Sequence, residues 1–518
     1  MEAILWGGLL RFGQAALASA PTLLVGLFVA GVFRRLLGPE ATLRAFGGNT
    51  WRSLPQAWLW GMLLPVCSLG VIPVAYELRR SGLSGGAILA FAVTAPLFNP
   101  LSLLYGLTLS APIVILAFSL CSLLVVTVVG FAWDRLFPDT AVILPPPPTV
   151  PPGPKRLASI AVTAAQYMAG PTLIYCIIGL AGNFLLAIIF PHASLTDSMG
   201  HNDPTSPLWM LLVAIPAYAT PLNVMMQVGS MFVHGNSVGA AFVLLTLGAG
   251  VNLGLIAWAA RTYGTGRALA FLVIFAATVL VIAYALEQPL YSAGDVERPH
   301  THAFDVYSCP FAASHSGLAT RAWQLLAAGA QAYEILALAG VVALLCSGIV
   351  LRRKDPSGRI ESYLTSDRQD SIRPSSSILH ANVPGPVLGA VGILGLVALS
   401  IVGCFIFYPP PDQTLEDMTM AKVDVLSAAL SKDAESTAKS IQAYDDLTRR
   451  LQVGYYLRYW GLDEYQRTKA KLLRGRLEQL KDAVEAGDFQ RVPALSSRIS
   501  DAHRRCQESF VQTDAGDR

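Results

Sequence analysis

Ten continuous apolar stretches dominate this chain: 14–37, 57–79, 83–109, 111–133, 159–190, 206–232, 237–263, 266–286, 321–351 and 385–407. Each reaches or approaches the roughly 20 residues a helix needs to cross a hydrocarbon core. Hydrophobic residues make up 53% of the chain and charged residues 14%, against about 25% charged in soluble domains. Most of the protein therefore has to dissolve in lipid. Runs this long, without strand-like alternation, exclude a closed β-barrel. The pattern predicts an all-α polytopic membrane protein with about ten hydrophobic segments.

The net charge of +3 gives no reason to expect a nucleic-acid partner. The placement of charge is more informative. Arg352, Arg353, Lys354, Arg359, Arg368 and Arg373 fall in a short loop between two spans, which reads as cytoplasmic because inner loops carry excess Lys and Arg. Counting forward across 385–407 places 408–518 outside, and Arg34 and Arg35 suit the inner side. Arg79 and Arg80 fit poorly: if every segment spans, they lie outside, and re-entry of the surrounding segments would change that. The ten N-terminal residues lack a basic region and a cleavage site, so the first apolar segment is expected to remain as a helix. The seven cysteines include no CxxC pair, so neither a disulfide framework nor a zinc site is readable.

Composition divides the chain into a first repeat (1–133), a Pro-rich linker (134–157), a second repeat (158–286), a stretch with an outer loop, two additional spans and the basic loop (287–411), and a charged helical tail (412–518). Each repeat has four segments: a long span, two segments marked by Gly and Pro, and a plain apolar span. The tail has helical periodicity, with Leu426, Leu430, Leu447, Leu451, Leu462, Leu472, Leu477 and Leu480 among its apolar positions. It is expected to form a soluble helical bundle on the outer side, able to self-associate or to bind a protein partner.

The two repeats share residues at one offset of 153 positions: Gly82 with Gly235, Ser84 with Ser237, Gly86 with Gly239 and Asn99 with Asn252. Corresponding Gly/Pro-interrupted segments in two halves point to a transporter's binding site. In the first break, Pro65 and Pro73 remove backbone donors around Cys67, Ser68 and Gly70. The second copy carries Thr220, Pro221 and Asn223 instead. Ser84 and Ser237 are expected to cap the next helices, and Pro96 and Pro100 flank Asn99. Buried amides need partners, which makes Asn99 and Asn252 candidates for a shared two-fold site. The candidate substrate ligands are Cys67, Ser68, Asn99, Thr220, Asn223 and Asn252. Glu334, beside Gln331, is a candidate coupling carboxylate, because carboxylates inside spans are expensive to keep. Glu77, beside Arg79 and Arg80, reads as an interfacial charge. No ATP-binding loop or catalytic constellation is present, so neither an enzyme nor a cofactor is expected.

At these residues the chain resembles the predicted-permease family typified by the bacterial ArsP and YraQ proteins. The likeness is carried in order by Pro65, Cys67, Ser68, Pro73, Gly82, Gly86, Ala87, Phe91, Pro96, Asn99 and Pro100. It covers roughly 14–286 and leaves the tail outside. It implies a secondary permease, and its ArsP-type members resemble efflux carriers that hold trivalent organoarsenicals with cysteine thiolates. This chain has Cys67-Ser68-Leu69 and Thr220-Pro221-Leu222 where that family often repeats Cys-Ser. The expectation is a permease of a bacterial inner membrane, moving a small solute such as a metalloid or organometalloid. A non-transporting sensor or platform that displays the tail is the alternative.

Overall fold

The computed structural model describes residues 2–109, 112–138, 155–192, 194–195, 199–201, 203–291, 303–311, 317–355, 359–365 and 383–511. Most of the Pro-rich linker, and Arg368 and Arg373 of the basic loop, lie outside the described residues. The chain divides into one unit of 1–103 with 113–399 and another of 104–112 with 400–518.

In the first unit, α1 (Glu2–Val32) continues through a π turn (Phe33–Leu37) into α2 (Gly38–Ala45). Next come α3 (Ser53–Leu63), α4 (Val71–Arg80), α5 (Gly85–Thr94), α6 (Pro100–Leu109), whose residues from 104 on belong to the second unit, and α7 (Pro112–Leu136). The second repeat has α8 (Lys155–Tyr167), a π turn, α9 (Leu173–Ile189), α10 (Ser206–Ala214), α11 (Pro221–Val233), α12 (Val238–Val243, prolonged by π turns to Ala249), α13 (Leu253–Tyr263) and α14 (Thr265–Leu290). Then follow α15 (Leu318–Gly329), α16 (Ala332–Lys354), α17 (Arg359–Thr365) and α18 (Gly385–Phe407), whose residues from 400 on belong to the second unit.

Among the described residues, six stretches are long and apolar enough to cross a membrane: Glu2–Ala45, Pro112–Leu136, Lys155–Ile189, Thr265–Leu290, Ala332–Lys354 and Gly385–Phe407. The pair Val238–Ala249 and Leu253–Tyr263 passes the same test only when taken together across a bend of 58°. The count falls short of ten because the Gly/Pro-marked segments are broken. Residues 57–79 are not one span. Pro65 lies in the extended stretch between α3 and α4, while Pro73 sits in the first turn of α4, where a missing N–H costs nothing.

The chain reverses at that stretch. Asn49, ahead of α3, donates to Gly82 O at 3.0 Å and accepts from Ser84 N at 2.9 Å, beyond α4. Both ends of α3–α4 therefore meet, and the pair is a re-entrant hairpin. The second repeat does the same around α10–α11: Ser237 N donates to Met199 O at 2.9 Å, and Gly200 bridges Asn236. Gly82 and Gly235 make the two matching turns with φ of 80° and 64°, which suits glycine. Of the two alternatives for Arg79 and Arg80, the hairpin is the re-entrant one. Arg35 Nε donates to Thr163 of α8, and Tyr167 one turn later donates to Glu77, so these arginines share the end of the fold that holds Arg34 and Arg35. Glu77 is also buried rather than interfacial.

The repeats run in opposite senses. The last turn of α7 packs beside the α13–α14 junction, with Trp133 and Tyr263 ring centroids 5.2 Å apart and Arg267 over Phe137 at 5.3 Å. From there α14 leads about 35 Å away to the other face. This is the inverted-repeat plan of many transporters. The expected single span 321–351 divides between α15 and α16.

In the second unit, α19 (Pro411–Leu430), α20 (Ala434–Tyr459), α21 (Glu464–Glu485) and α22 (Val492–Val511) enclose one core built on Met418, Val425, Leu451, Leu473, Leu477 and Leu480. Leu426, Leu447 and Leu462 pack against it. Leu430 and Leu472, expected among the apolar positions, are exposed. Asp433 caps α20, and Asp463 with Gln466 forms a capping box on α21.

Inside this bundle the Tyr444 hydroxyl lies 2.6 Å from His503 Nδ1. Burial, and then Lys422, push the His503 pKa down to about 4. The unfolded ring takes a proton near pH 6.5. The neutral ring therefore adds stability above about pH 6.5 that is lost as pH falls toward 4. Hydrogen exchange of α20 and α22 in the full chain should speed up over that window. In His503→Gln the same amides should show a flatter pH response.

Candidate functional site

The breaks of the two repeats converge. Each begins with a helix start that the sequence specifies. Thr220 Oγ1 accepts from Asn223 N at 3.3 Å, with Pro221 in the first turn, where proline is preferred. Asn99 Oδ1 accepts from Ser102 N at 2.7 Å and Asn252 Oδ1 from Leu255 N at 2.9 Å. The matched asparagines are thus the caps of α6 and α13, the second halves of the two broken helices.

Side chains from both repeats then close the centre. Gly250, just before Asn252, abuts the first repeat: a Cβ there would lie 3.1 Å from Leu97 Cδ2 and 3.2 Å from Val93 O. Gly179 of α9 faces Leu69 of the first break and Asn252 together, at 2.6 and 2.7 Å from an added Cβ. Asn183 clamps the second hairpin, donating to Tyr218 O at 2.8 Å and accepting from Tyr218 N at 2.7 Å. Cys67, Leu69, Leu23, Cys176, Leu180 and Tyr218 belong to one buried cluster.

Several polar atoms in this region are buried without a partner: Ser68 Oγ, Thr172 Oγ1 and Asn252 Nδ2. Unmade hydrogen bonds of this kind are expensive, about 1–3 kcal/mol each. They are donors and acceptors withdrawn from solvent. Cys67 Sγ accepts weakly from Gly70 N at 3.4 Å. Of the expected ligands, the structure buries Cys67, Ser68, Asn99, Thr220 and Asn252, whereas Asn223 is exposed on α11. Glu334 stands at the start of α16, where its carboxylate accepts from Gln331 N at 3.1 Å in a capping box.

Two features were not anticipated. The first is Cys176, a second thiol in the cluster of Cys67. In sequence it looks like any mid-helix cysteine. The second is a pair of carboxylates. Asp134 near the end of α7 accepts from Ser84 Oγ at 2.8 Å and Gly86 N at 2.7 Å. Glu287 near the end of α14 accepts from Ser237 Oγ at 2.8 Å and Gly239 N at 2.6 Å. Asp134 and Glu287 are themselves 153 positions apart, so the offset that aligns the glycines also aligns these acids. Each bracket holds a buried helix start against the last span of its own repeat. Gly86 and Gly239 permit the approach, because a side chain at either would run into the carbonyl of Gly130 or Ala283. Glu287 also meets His201 Nδ1 in a hydrogen bond of 2.7 Å.

Among the described residues, no three His, Cys, Asp or Glu side chains gather as a metal-ligand set. The family model described as a predicted permease matches residues 7–288, more than half of the chain. The chain belongs to this predicted permease family. A curated relative, the UPF0718 protein YcgR of Bacillus subtilis (strain 168), is 29% identical over 92 residues, covering 18% of this permease and 31% of that protein. No solved structure matches. The matched residues contain both hairpins, both broken helices and both carboxylate brackets, and they end one residue after Glu287. The helical bundle of the permease lies beyond them.

Proposed function

We propose that this permease is a secondary transporter of a bacterial inner membrane whose small-molecule substrate binds where the breaks meet, with the helical bundle on the periplasmic side. The observation that carries this reading is the convergence of inverted, broken repeats on Cys67, Ser68, Tyr218 and Asn252, with unpartnered polar atoms inside a buried centre. Alternating access follows from rocking of one repeat against the other around that centre. The brackets make α5 move with α7 and α12 with α14. The breaks themselves are the compliant parts.

The cluster also bears on the substrate. Cys67 and Cys176 supply two sulfurs, which favour a soft centre such as a trivalent metalloid, and the surrounding hydroxyls and amide are hard ligands. Arsenite and phenylarsine oxide are the probes. Either should stabilise the purified protein, by on the order of 2–3 kcal/mol at a hundredfold excess over Kd, read as a rise in unfolding temperature. The shift should vanish in Cys67→Ser and in Cys176→Ser but persist in Cys346→Ser, whose thiol is exposed elsewhere. Wild-type shifts in both buried-thiol variants would remove the metalloid reading. Unchanged vesicle flux in Asn252→Ala as well would remove the transport site.

A further inference from the structure

At the end of the first unit where α1, α4 and α8 meet, three arginines gather over two carboxylates. Arg35 is almost completely buried, its side chain only 1% exposed. Its Nε donates to Thr163 Oγ1 at 2.9 Å and its Nη2 to Glu361 Oε1 at 2.7 Å. Its Nη1 has no acceptor, and neither do the buried Nε atoms of Arg34 and Arg80. The nearest carboxylate oxygens do not fill the gap: Arg34 Nη2 is 3.9 Å from Glu361, and Arg80 Nε is 3.8 Å from Glu77. Glu77 already accepts from the Tyr167 hydroxyl.

The inventory is therefore unbalanced. Three fixed positive charges face two negative ones, and three guanidinium N–H groups are withdrawn from solvent with nothing to donate to. Buried charges are normally paired and hydrogen-bonded. A guanidinium presents planar, forked donors that match the oxygens of a phosphate group. Side-chain exposures of 17% at Arg34 and 30% at Arg80 leave the cluster open at the surface, while Arg35 forms its floor. Basic pockets between membrane helices at a cytoplasmic face hold anionic headgroups.

We propose that Arg34, Arg35 and Arg80 form a binding site for a phosphate group, carried by an anionic lipid headgroup or by a soluble phosphate. The site is distinct from the centre where the breaks meet, and it does not depend on what the permease transports. A bound phosphate would tie the end of α1 and the end of the first hairpin to the start of the second repeat.

The test uses the full-length protein in detergent. Its unfolding temperature is followed with increasing inorganic phosphate against chloride at equal ionic strength, and with phosphatidylglycerol against phosphatidylcholine in mixed micelles. A saturable rise is expected with one of the two anionic additions. Its half-saturation point should move about fivefold higher in Arg34→Gln and in Arg80→Gln. Neither arginine makes a close ion pair, so both variants should fold. If a variant does not, native mass spectrometry of the wild-type protein should show one retained phosphate-bearing adduct. A response to phosphatidylglycerol alone assigns a headgroup, and a response to inorganic phosphate assigns a soluble anion. No saturable response to either, or half-saturation unchanged in both variants, overturns the site.

Discussion

Asp134→Ala and Glu287→Ala are each expected to destabilise the permease by about 3 kcal/mol or more and to abolish flux in reconstituted vesicles. In the first, Ser84 Oγ and Gly86 N lose acceptors at 2.8 and 2.7 Å. In the second, Ser237 Oγ and Gly239 N lose theirs and His201 loses its hydrogen-bond partner. The helix starts are buried, so water does not readily replace the carboxylate. Asp134→Asn should retain about half of the stability, because an amide oxygen still accepts from Gly86 N and a serine hydroxyl can turn to accept from the amide. The two brackets sit at opposite ends of α14, so the double alanine variant should lose the sum of the single losses. Thermal unfolding and vesicle uptake on the four proteins check this. Wild-type values for both measurements in Asp134→Ala would remove the bracket as a mechanical element.

These carboxylates show what was legible in the sequence and what was not. The 153-residue offset was visible through Gly, Ser and Asn, and each of those residues takes the role its chemistry suggests: turn, cap, close approach, cap. The same offset joins Asp134 to Glu287, but the two acids differ in length and stand near span ends, where a charge ordinarily faces water. Nothing local marks them as partners of serines some 50 positions upstream. Re-entry was legible only as a misfit. Arg79 and Arg80 did not suit the outer side, and the reason is a reversal at 64–70 that leaves no residue long enough in lipid to cross. Cys176 was invisible for a different reason. It sits on α9, past the kink at Gly170 and outside both hairpins, and only tertiary packing through Gly179 and Leu180 brings that helix to the first break. In the bundle, helical period found Leu451, Leu477 and Leu480, whereas Leu430 and Leu472 fall at helix positions that the other three helices do not cover.

Gly250→Leu is expected to abolish flux with the chain still folded into its two units, because Gly250 is needed for space and not for backbone freedom. Its φ of −71° and ψ of −30° suit any residue. A side chain there would press first on the carbonyl of Thr246 in its own segment and then, across the repeats, on Leu97 Cδ2 at 3.1 Å and Val93 O at 3.2 Å, so it would distort the second break and push it against the first. Overpacking of this kind costs about 1–3 kcal/mol for a small group. Gly250→Ala should therefore be intermediate, with flux reduced about tenfold and a modest fall in unfolding temperature. Gly266→Ala, where an added Cβ meets nothing within 4 Å, serves as the control. The decisive comparison is Gly250→Ala with Leu97→Ala. Leu97 can yield its methyl whereas the backbone carbonyls cannot, so the double variant should recover part of the flux lost in Gly250→Ala, a coupling detectable in a double-mutant cycle. Recovery would place the transport motion at the contact between the two breaks. Additive losses with unchanged coupling would mean that the breaks pass one another without load, and the rocking centre would have to lie elsewhere.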